Sequence, residues 1–432
     1  MIRNLLEHPS ASEFLRGFQE EHLSELAFLL ARRQQYLHDP EVEWPEVEPL
    51  EVRILAHVGA MREGGDMALS CAREMLSSEA PDELAAAAHA LVFAAPGGEG
   101  IAEVLARMAE ADAVLLPCLG EALMLAHHSQ LSERLGTLLD SKRPEVRVVA
   151  ARVLGHRCDG AAEPLLPLLE DAVPEVRAAA AMAVAEMGYR PALPLLERGL
   201  LHTAADEWSA WVLAALRLGS PRALQACRQA CRTLGPVPPR LPWLLGLAGD
   251  AQDFAPLSRL HGWLELTAVV LEALGLLGIP AAIPLLLEHL GHGAPEVKAA
   301  AASALALMTG AELMEEAQVL DEDSSDDDSS EVSGRKVVRP SVDAAVWRAW
   351  LREHRSHLEG KTRIRLGQPH GLGLCIEELM HSRASFDTRA RASLELCIHS
   401  GRQVPFQPGW LVSRQRQAMA QWRQWWEATQ RS

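Results

Sequence analysis

Residues 144–147 read Pro-Glu-Val-Arg, residues 174–177 repeat the string 30 positions later, and residues 295–298 return it as Pro-Glu-Val-Lys after a further 121. The longer interval equals about four of the shorter ones. A worn copy lies in between, because residues 266–278 match residues 298–310 at an offset of 32. Each copy opens an Ala-, Val- and Leu-rich stretch, then a break, then a second short apolar stretch, at residues 161–170, 191–200 and 280–290. A fixed period near 30 with two helices per unit predicts an all-α chain of stacked helical hairpins, an α-solenoid. A single hairpin cannot bury both of its faces, so neighbours must do so.

The chemistry inside each copy points the same way. Pro144, Pro174 and Pro295 suit the first position of a helix, where φ is already set and the missing N–H would have no partner. Glu145, Glu175 and Glu296 then place negative charge in the first turn, as the helix dipole favours. Valine and alanine follow on the inward positions, and small side chains let helices approach to about 8–10 Å. Gly155, Gly188, Gly278 and Gly310 stand near the expected helix ends and suit left-handed caps.

Hydrophobic residues make up 48% of the chain, so core material is ample. Aromatics reach only 5%, and alanine and leucine carry the apolar load, which argues against a β-sandwich. Seven scattered cysteines without a Cys-x-x-Cys exclude a disulfide scaffold and favour a reducing compartment. Cys227 and Cys231, one helical turn apart, read as small core residues rather than metal ligands. The most apolar stretch, residues 264–287, is broken by Glu265, Glu272, Pro280 and Pro284, and reads as two short buried helices rather than a membrane span. The first residues lack the apolar core of a signal peptide. A cytoplasmic chain with no membrane partner is the expectation.

The net charge of −17 hides two opposite parts. Residues 335–432 hold 17 Arg and Lys against 8 Asp and Glu, whereas residues 1–334 carry a net −26. Residues 312–331 contain ten carboxylates and no Lys or Arg. Like charges at that density repel and leave little apolar surface to offset ordering, which predicts a disordered linker. The glycine and terminal glutamate of a calcium loop are missing from it. Four segments are therefore expected: a helical cap over 1–78, the repeat solenoid over 79–310, an acidic disordered linker over 311–335, and a basic, Trp-rich helical region over 336–432. The acidic bulk opposes nucleic acid, and the basic region is expected to pair within the chain.

The Pro-Glu-Val-Arg, Ala-rich helix and Pro-Leu-Leu pattern resembles the HEAT-like repeats associated with phycobilin lyases, strongly over residues 140–200 and 262–310. In that repeat family the basic residue at the fourth position packs against an acidic residue of a neighbouring loop. The resemblance thus assigns the basic role to Arg147, Arg177 and Lys298 and the acidic role to Asp140 and Asp171. Residues 20–29 and 50–61, Trp347-Arg348-Ala349-Trp350, Arg363-Ile364-Arg365-Leu366-Gly367-Gln368-Pro369 and Arg414-Gln415-Arg416 are similar to an uncharacterised bacterial family. That family joins an N-terminal helical cap, HEAT-like repeats and a C-terminal helical segment, and is often encoded among type VI secretion components. Some HEAT-repeat oxygenases bind two irons through His-Glu dipeptides, and none occurs in this sequence.

Six of the eleven tryptophans follow residue 340. Met419, Trp422 and Trp426 recur at helical spacing as one stripe, flanked by Arg416 and Arg423. Such a stripe either docks on the rest of the chain or, with Trp347 and Trp350, offers a Trp/Arg hot spot to a partner protein. Interleaved Arg and Trp also suit nucleobase stacking. Adjacent His127 and His128 point about 100° apart on a helix, which suits a shared ion poorly, and His57 reads as structural. No dinucleotide fingerprint, phosphate loop or Gly-x-Ser-x-Gly elbow is present. No catalytic, cofactor or metal site is expected. The expected role is a non-catalytic protein-binding scaffold: an adaptor, chaperone or immunity-type factor whose partner is a secretion effector or component. The alternatives are a repeat-built lyase or metal-dependent enzyme, and nucleic-acid binding through the basic C-terminal region.

Overall fold

Pro144, Pro174 and Pro295 each occupy the first position of a helix, Pro144–Arg157, Pro174–Glu186 and Pro295–Thr309, and each is followed by its first-turn glutamate. The computed structural model containing them describes residues 9–201, 205–233, 237–320 and 334–431. The chain forms two compact units, Met1–Ser220 with Cys375–Ser432, and Pro221–Leu374.

In the first unit the helices Pro9–His38, Glu48–Glu63 and Gly65–Met75 pack on one another and on Pro81–Ala94. From there Pro81–Ala94, Leu116–Leu125, Pro144–Arg157, Pro174–Glu186 and Ala205–Arg217 stack in order, each on the next. The second unit contains a similar row, Arg240–Ala248, Thr267–Leu277 and Pro295–Thr309. The second member of each hairpin is short, a pair of 3-10 turns at Glu163–Leu165 and Pro167–Glu170, or a helix such as Leu193–Gly199 or Ile283–His292. The fold is thus an all-α solenoid of helical hairpins.

Packing between neighbouring rows explains the alanine content. Val146, Val176 and Val297 are buried, as are the pairs Ala150 and Ala151, Ala180 and Ala181, and Ala301 and Ala302. A Cβ added at Gly155 would lie 2.6 Å from the Cα of Ala183, one at Gly246 2.7 Å from that of Ala273, and one at Gly275 2.7 Å from that of Ala304. These helices therefore meet backbone to backbone. Gly155 is not a cap, as the sequence suggested, but a contact point inside its helix. The left-handed cap of that helix is Cys158, with φ 51°. Gly278 and Gly310 do cap their helices, with φ of 70° and 69°.

The acidic stretch is more ordered at its edges than a linker over 311–335 implies. Strands β1 (Met314–Leu320) and β2 (Gly334–Pro340) form an antiparallel ribbon in which Glu315 faces Arg339 and Gln318 faces Lys336. The Arg339 guanidinium is 3.1 Å from the Glu315 carboxylate, which also accepts from Ser341 Oγ and the Val342 N–H. An acidic strand has paired with the first basic strand after it, because opposite charges across a ribbon attract. The densest acidic run, residues 321–333, lies outside the described residues.

A second small hairpin, β3 (Ile364–Arg365) with β4 (Gln368–Pro369), closes the carboxyl ends of two repeat helices. Ile364 donates to the Gly278 carbonyl at 2.7 Å, and Leu366 to that of Leu307 at 2.8 Å. Arg363 Nε reaches the Leu277 carbonyl at 2.9 Å and Arg365, fully buried, reaches that of Leu276 at 3.1 Å. The last carbonyls of a helix lack internal partners and carry the negative end of its dipole, so arginines are apt closures. Among the described residues, no helix is long and apolar enough to cross a membrane.

Candidate partner-binding surfaces

The last helix, Val412–Arg431, turns Gln415, Ala418, Met419 and Trp422 inward. This is the face that the Met419–Trp422–Trp426 stripe anticipated. Trp422 is fully buried, and Trp426 is half-buried beside Trp425. The helix packs on the short turn Trp44–Val47, and Arg416 chelates the Glu48 carboxylate with bonds of 2.7 and 2.8 Å at the surface. Arg423 donates to the Met380 sulfur at 3.5 Å. Trp44, Met380, Arg416, Met419, Arg423 and Glu427 surround a shallow cleft of about 400 Å3.

The two other tryptophans named from sequence belong to the second unit. Trp347 is fully buried, its indole N–H donating to the Ser341 carbonyl at 2.6 Å, and Trp350 stacks on His354 with ring centroids 4.1 Å apart. Of the six hot-spot residues, Trp347 and Trp422 are occupied by internal packing. Arg416, Arg423 and Trp426 share one helix face region at the surface.

The segment between the last two helices was invisible to sequence reasoning. Residues 401–411, with the first turn of the last helix, run along the carboxyl ends of three stacked repeat helices. Trp410 Nε1 donates to the His156 carbonyl at 2.7 Å, Arg414 to that of Arg157, and Gln403 Nε2 to that of Arg217 at 2.8 Å. The Arg414 guanidinium also lies 3.6 Å from the centre of the Trp410 ring. Much of the positive charge after residue 335 is thus placed on helix-terminal carbonyls and on Glu43, Glu48 and Glu315.

The ladder expected from the repeat resemblance exists with shifted partners. Arg147 binds the Asp171 carboxylate at 2.9 Å and the Ser141 carbonyl at 2.7 Å. One period on, Arg177 binds the Glu207 carboxylate and the Asp171 carbonyl. The paired carboxylates are therefore Asp171 and Glu207, the equivalent positions Ser141 and Asp171 both supply a backbone carbonyl, and Asp140 is exposed and aligns with Glu170. Asp171 also caps its own turn by accepting from the Val173 N–H. Although its desolvation works the other way, Arg147 and that N–H hold the Asp171 carboxyl below its usual range. Lys298 has no ion-pair partner among the described residues; six positions before it, where Ser141 and Asp171 precede Arg147 and Arg177, stands His292 between Gly291 and Gly293, and none of these offers a carboxylate.

A second cleft, of about 490 Å3, crosses the faces of the stacked helices. Met124, Arg152, Met182 and Ala210 come to it from four successive members of the row, and its floor is largely alanine, including Ala178 and Ala183. His156 and Glu186 lie at its edge. Burial, followed by the charges of Arg414, Arg33 and Arg157, lowers the His156 imidazole to about 4, so it is neutral. Burial pushes the Glu186 carboxyl up against the opposing pull of Arg217 and of a hydrogen bond to Gln407. Both groups touch the 401–411 segment, through Gly409 beside the His156 ring and through Gln407.

A family model for HEAT repeats matches residues 132–217, which contain the helices at Pro144, Pro174 and Ala205. No curated protein matches the chain. Among solved structures, an engineered protein is 18% identical and similar over 70% of this chain and 86% of its own, with a TM-score of 0.29. The complex of CpcE and CpcF of the phycocyanin lyase from a Nostoc species is 18% identical, over 55% of this chain and 86% of its own, at 0.30. Human deoxyhypusine hydroxylase in complex with glycerol is 15% identical, over 67% and 96%, at 0.20.

Proposed function

We propose that this all-α, HEAT-like solenoid is a non-catalytic scaffold that binds an extended segment of another protein. The cleft across the first unit's row carries the reading. Four successive helices contribute to it, so its long direction runs along the stack, the direction in which a repeat array meets an extended ligand. Its alanine floor lets a ligand backbone come close, Met124 and Met182 supply adaptable apolar walls, and Arg152 and Glu175 stand at its rim with opposite charges. A role as an adaptor, chaperone or immunity-type factor of type VI secretion, with an effector or secretion component as partner, rests on the resemblance of the terminal segments to that bacterial family. A cytoplasmic location follows from the same reading.

The test is co-purification of the tagged chain with the products of genes encoded beside its own, compared with the Met182→Glu variant. Recovery of one protein by the native chain and its loss from the variant, with the helical signal unchanged, is the expected outcome. Recovery of no specific protein at low salt, or equal recovery by the variant, overturns the reading.

A further inference from the structure

The N-terminal helices bring two histidines together, one from Pro9–His38 and one from Glu48–Glu63. The Nδ1 atoms of His22 and His57 are 3.0 Å apart, with ring centroids at 5.1 Å and the planes at 72°. Phe18, one turn before His22, packs edge-on against that ring at 4.5 Å and holds its orientation. Both imidazoles are half-buried, and no other group among the described residues binds either Nε2. We propose that His22 and His57 form a binding site for a divalent transition-metal ion of the copper or nickel class, with solvent completing its coordination.

The geometry is the argument. Imidazole nitrogens bind such ions at about 2.05 Å, and two of them about 3.0 Å apart subtend about 94° at a common ion. That is the angle between neighbouring ligands in square-planar and octahedral coordination, the shapes that Cu2+ and Ni2+ prefer. Tetrahedral coordination requires the nitrogens to separate to about 3.3 Å. Without an ion, one ring donates its Nδ1–H to the lone pair of the other. Binding requires that the donor ring move this proton to its own Nε2 and that the two rings tilt until both Nδ1 lone pairs meet at the ion, and no proton is lost overall. An ion there joins the first long helix to the third element of the cap and pins residues 35 positions apart in loop-connected helices.

Calorimetric titration of the full chain with Ni2+ tests the site, using His22→Gln, His57→Gln and, as a control, His127→Gln with His128→Gln. The tightest site of the native chain is expected to bind one ion and to weaken by about tenfold or more in each single variant, while the control keeps it. Ni2+ should raise the melting temperature of the native chain and the control but of neither single variant. A tightest site that survives both substitutions, or that disappears in the control, overturns the proposal. Should a substitution disturb the fold, electron paramagnetic resonance of the native chain with one equivalent of Cu2+ decides independently: coupling to two imidazole nitrogens is expected, and its absence overturns the site.

Discussion

Arg33 and Glu51 form a buried ion pair that also grips the far end of the chain. Arg33 Nε and Nη2 reach one oxygen of Glu51 at 3.0 and 2.8 Å, and Nη2 donates further to the carbonyls of Gly409 and Trp410. The other Glu51 oxygen accepts from the Val412 N–H at 2.8 Å. Burial opposes the charge on both groups, pushing the Glu51 carboxyl up and the Arg33 guanidinium down, and each partner opposes the other's shift. Removing one partner strands the other in a place that excludes water. Glu51→Ala should therefore cost about 3–5 kcal/mol in denaturant unfolding, and protease should cut the 401–411 segment sooner. A paired Arg33→Met, Glu51→Leu variant should recover most of that loss.

Arg389 presents the opposite case. It is fully buried, with its guanidinium 4.4 Å from the Trp44 ring centre and 5.6 Å from that of Phe406, and no carboxylate bonds to it among the described residues. Its Nε and Nη2 have no hydrogen-bond partner, and burial lowers it to about 9. Arg389→Met keeps the aliphatic contact and removes an uncompensated charge. Its unfolding free energy should stay within about 1 kcal/mol of the native value or exceed it. A loss of several kcal/mol would reveal an anionic partner.

The repeats were legible in the sequence because every constraint on them is local. A proline, a glutamate and an alanine run at fixed spacing describe one hairpin, and the period describes its stacking. The end closures were not legible. Arg365 on Leu276, Trp410 on His156 and Arg33 on Gly409 join residues 89, 254 and 376 positions apart, and no periodicity encodes such a pairing. The tryptophan stripe at Met419 and Trp422 was visible as an apolar helix face, but whether it met a partner or its own chain depended on Trp44, far upstream. Of the two acids read into the ladder, Asp171 meets Arg147, whereas Asp140 stands one register early, because the position equivalent to Asp171 is Ser141.

The glycine contacts between rows set a steric limit that substitution can measure. At Gly275 an added methyl would meet both the Cα and the Cβ of Ala304 at 2.7 Å, too close for side-chain rearrangement to relieve. Gly275→Ala should push the helices Thr267–Leu277 and Pro295–Thr309 apart and destabilise by about 1–3 kcal/mol, despite alanine's better helix propensity. Ala180→Phe, at a fully buried position of the first unit, should cost about the same. Melting temperatures of both variants check this, and an unchanged value at Ala180 would mean that its helix faces another way.

Two histidines give the fold an acid limit whose sign can be worked out. His89 is fully enclosed, its Nδ1–H donating to the Ala122 carbonyl, and burial lowers it to about 4 against the small opposing effect of that bond. His156 is lowered to about 4 chiefly by burial as well. Both are neutral in the folded chain, whereas in the unfolded chain they take up protons near pH 6.5. The unfolded state therefore binds more protons between pH 6.5 and 4, so stability falls on acidification through that window and the effect levels off below it. For His89 the loss amounts to about 3 kcal/mol, and for His156, which meets the cleft, to less. Urea unfolding of the native chain and of His89→Asn, which keeps a donor for Ala122, should show curves that converge as the pH falls from 6.5 to 4. Parallel curves would mean that His89 takes up its proton as readily inside the fold as in the unfolded chain.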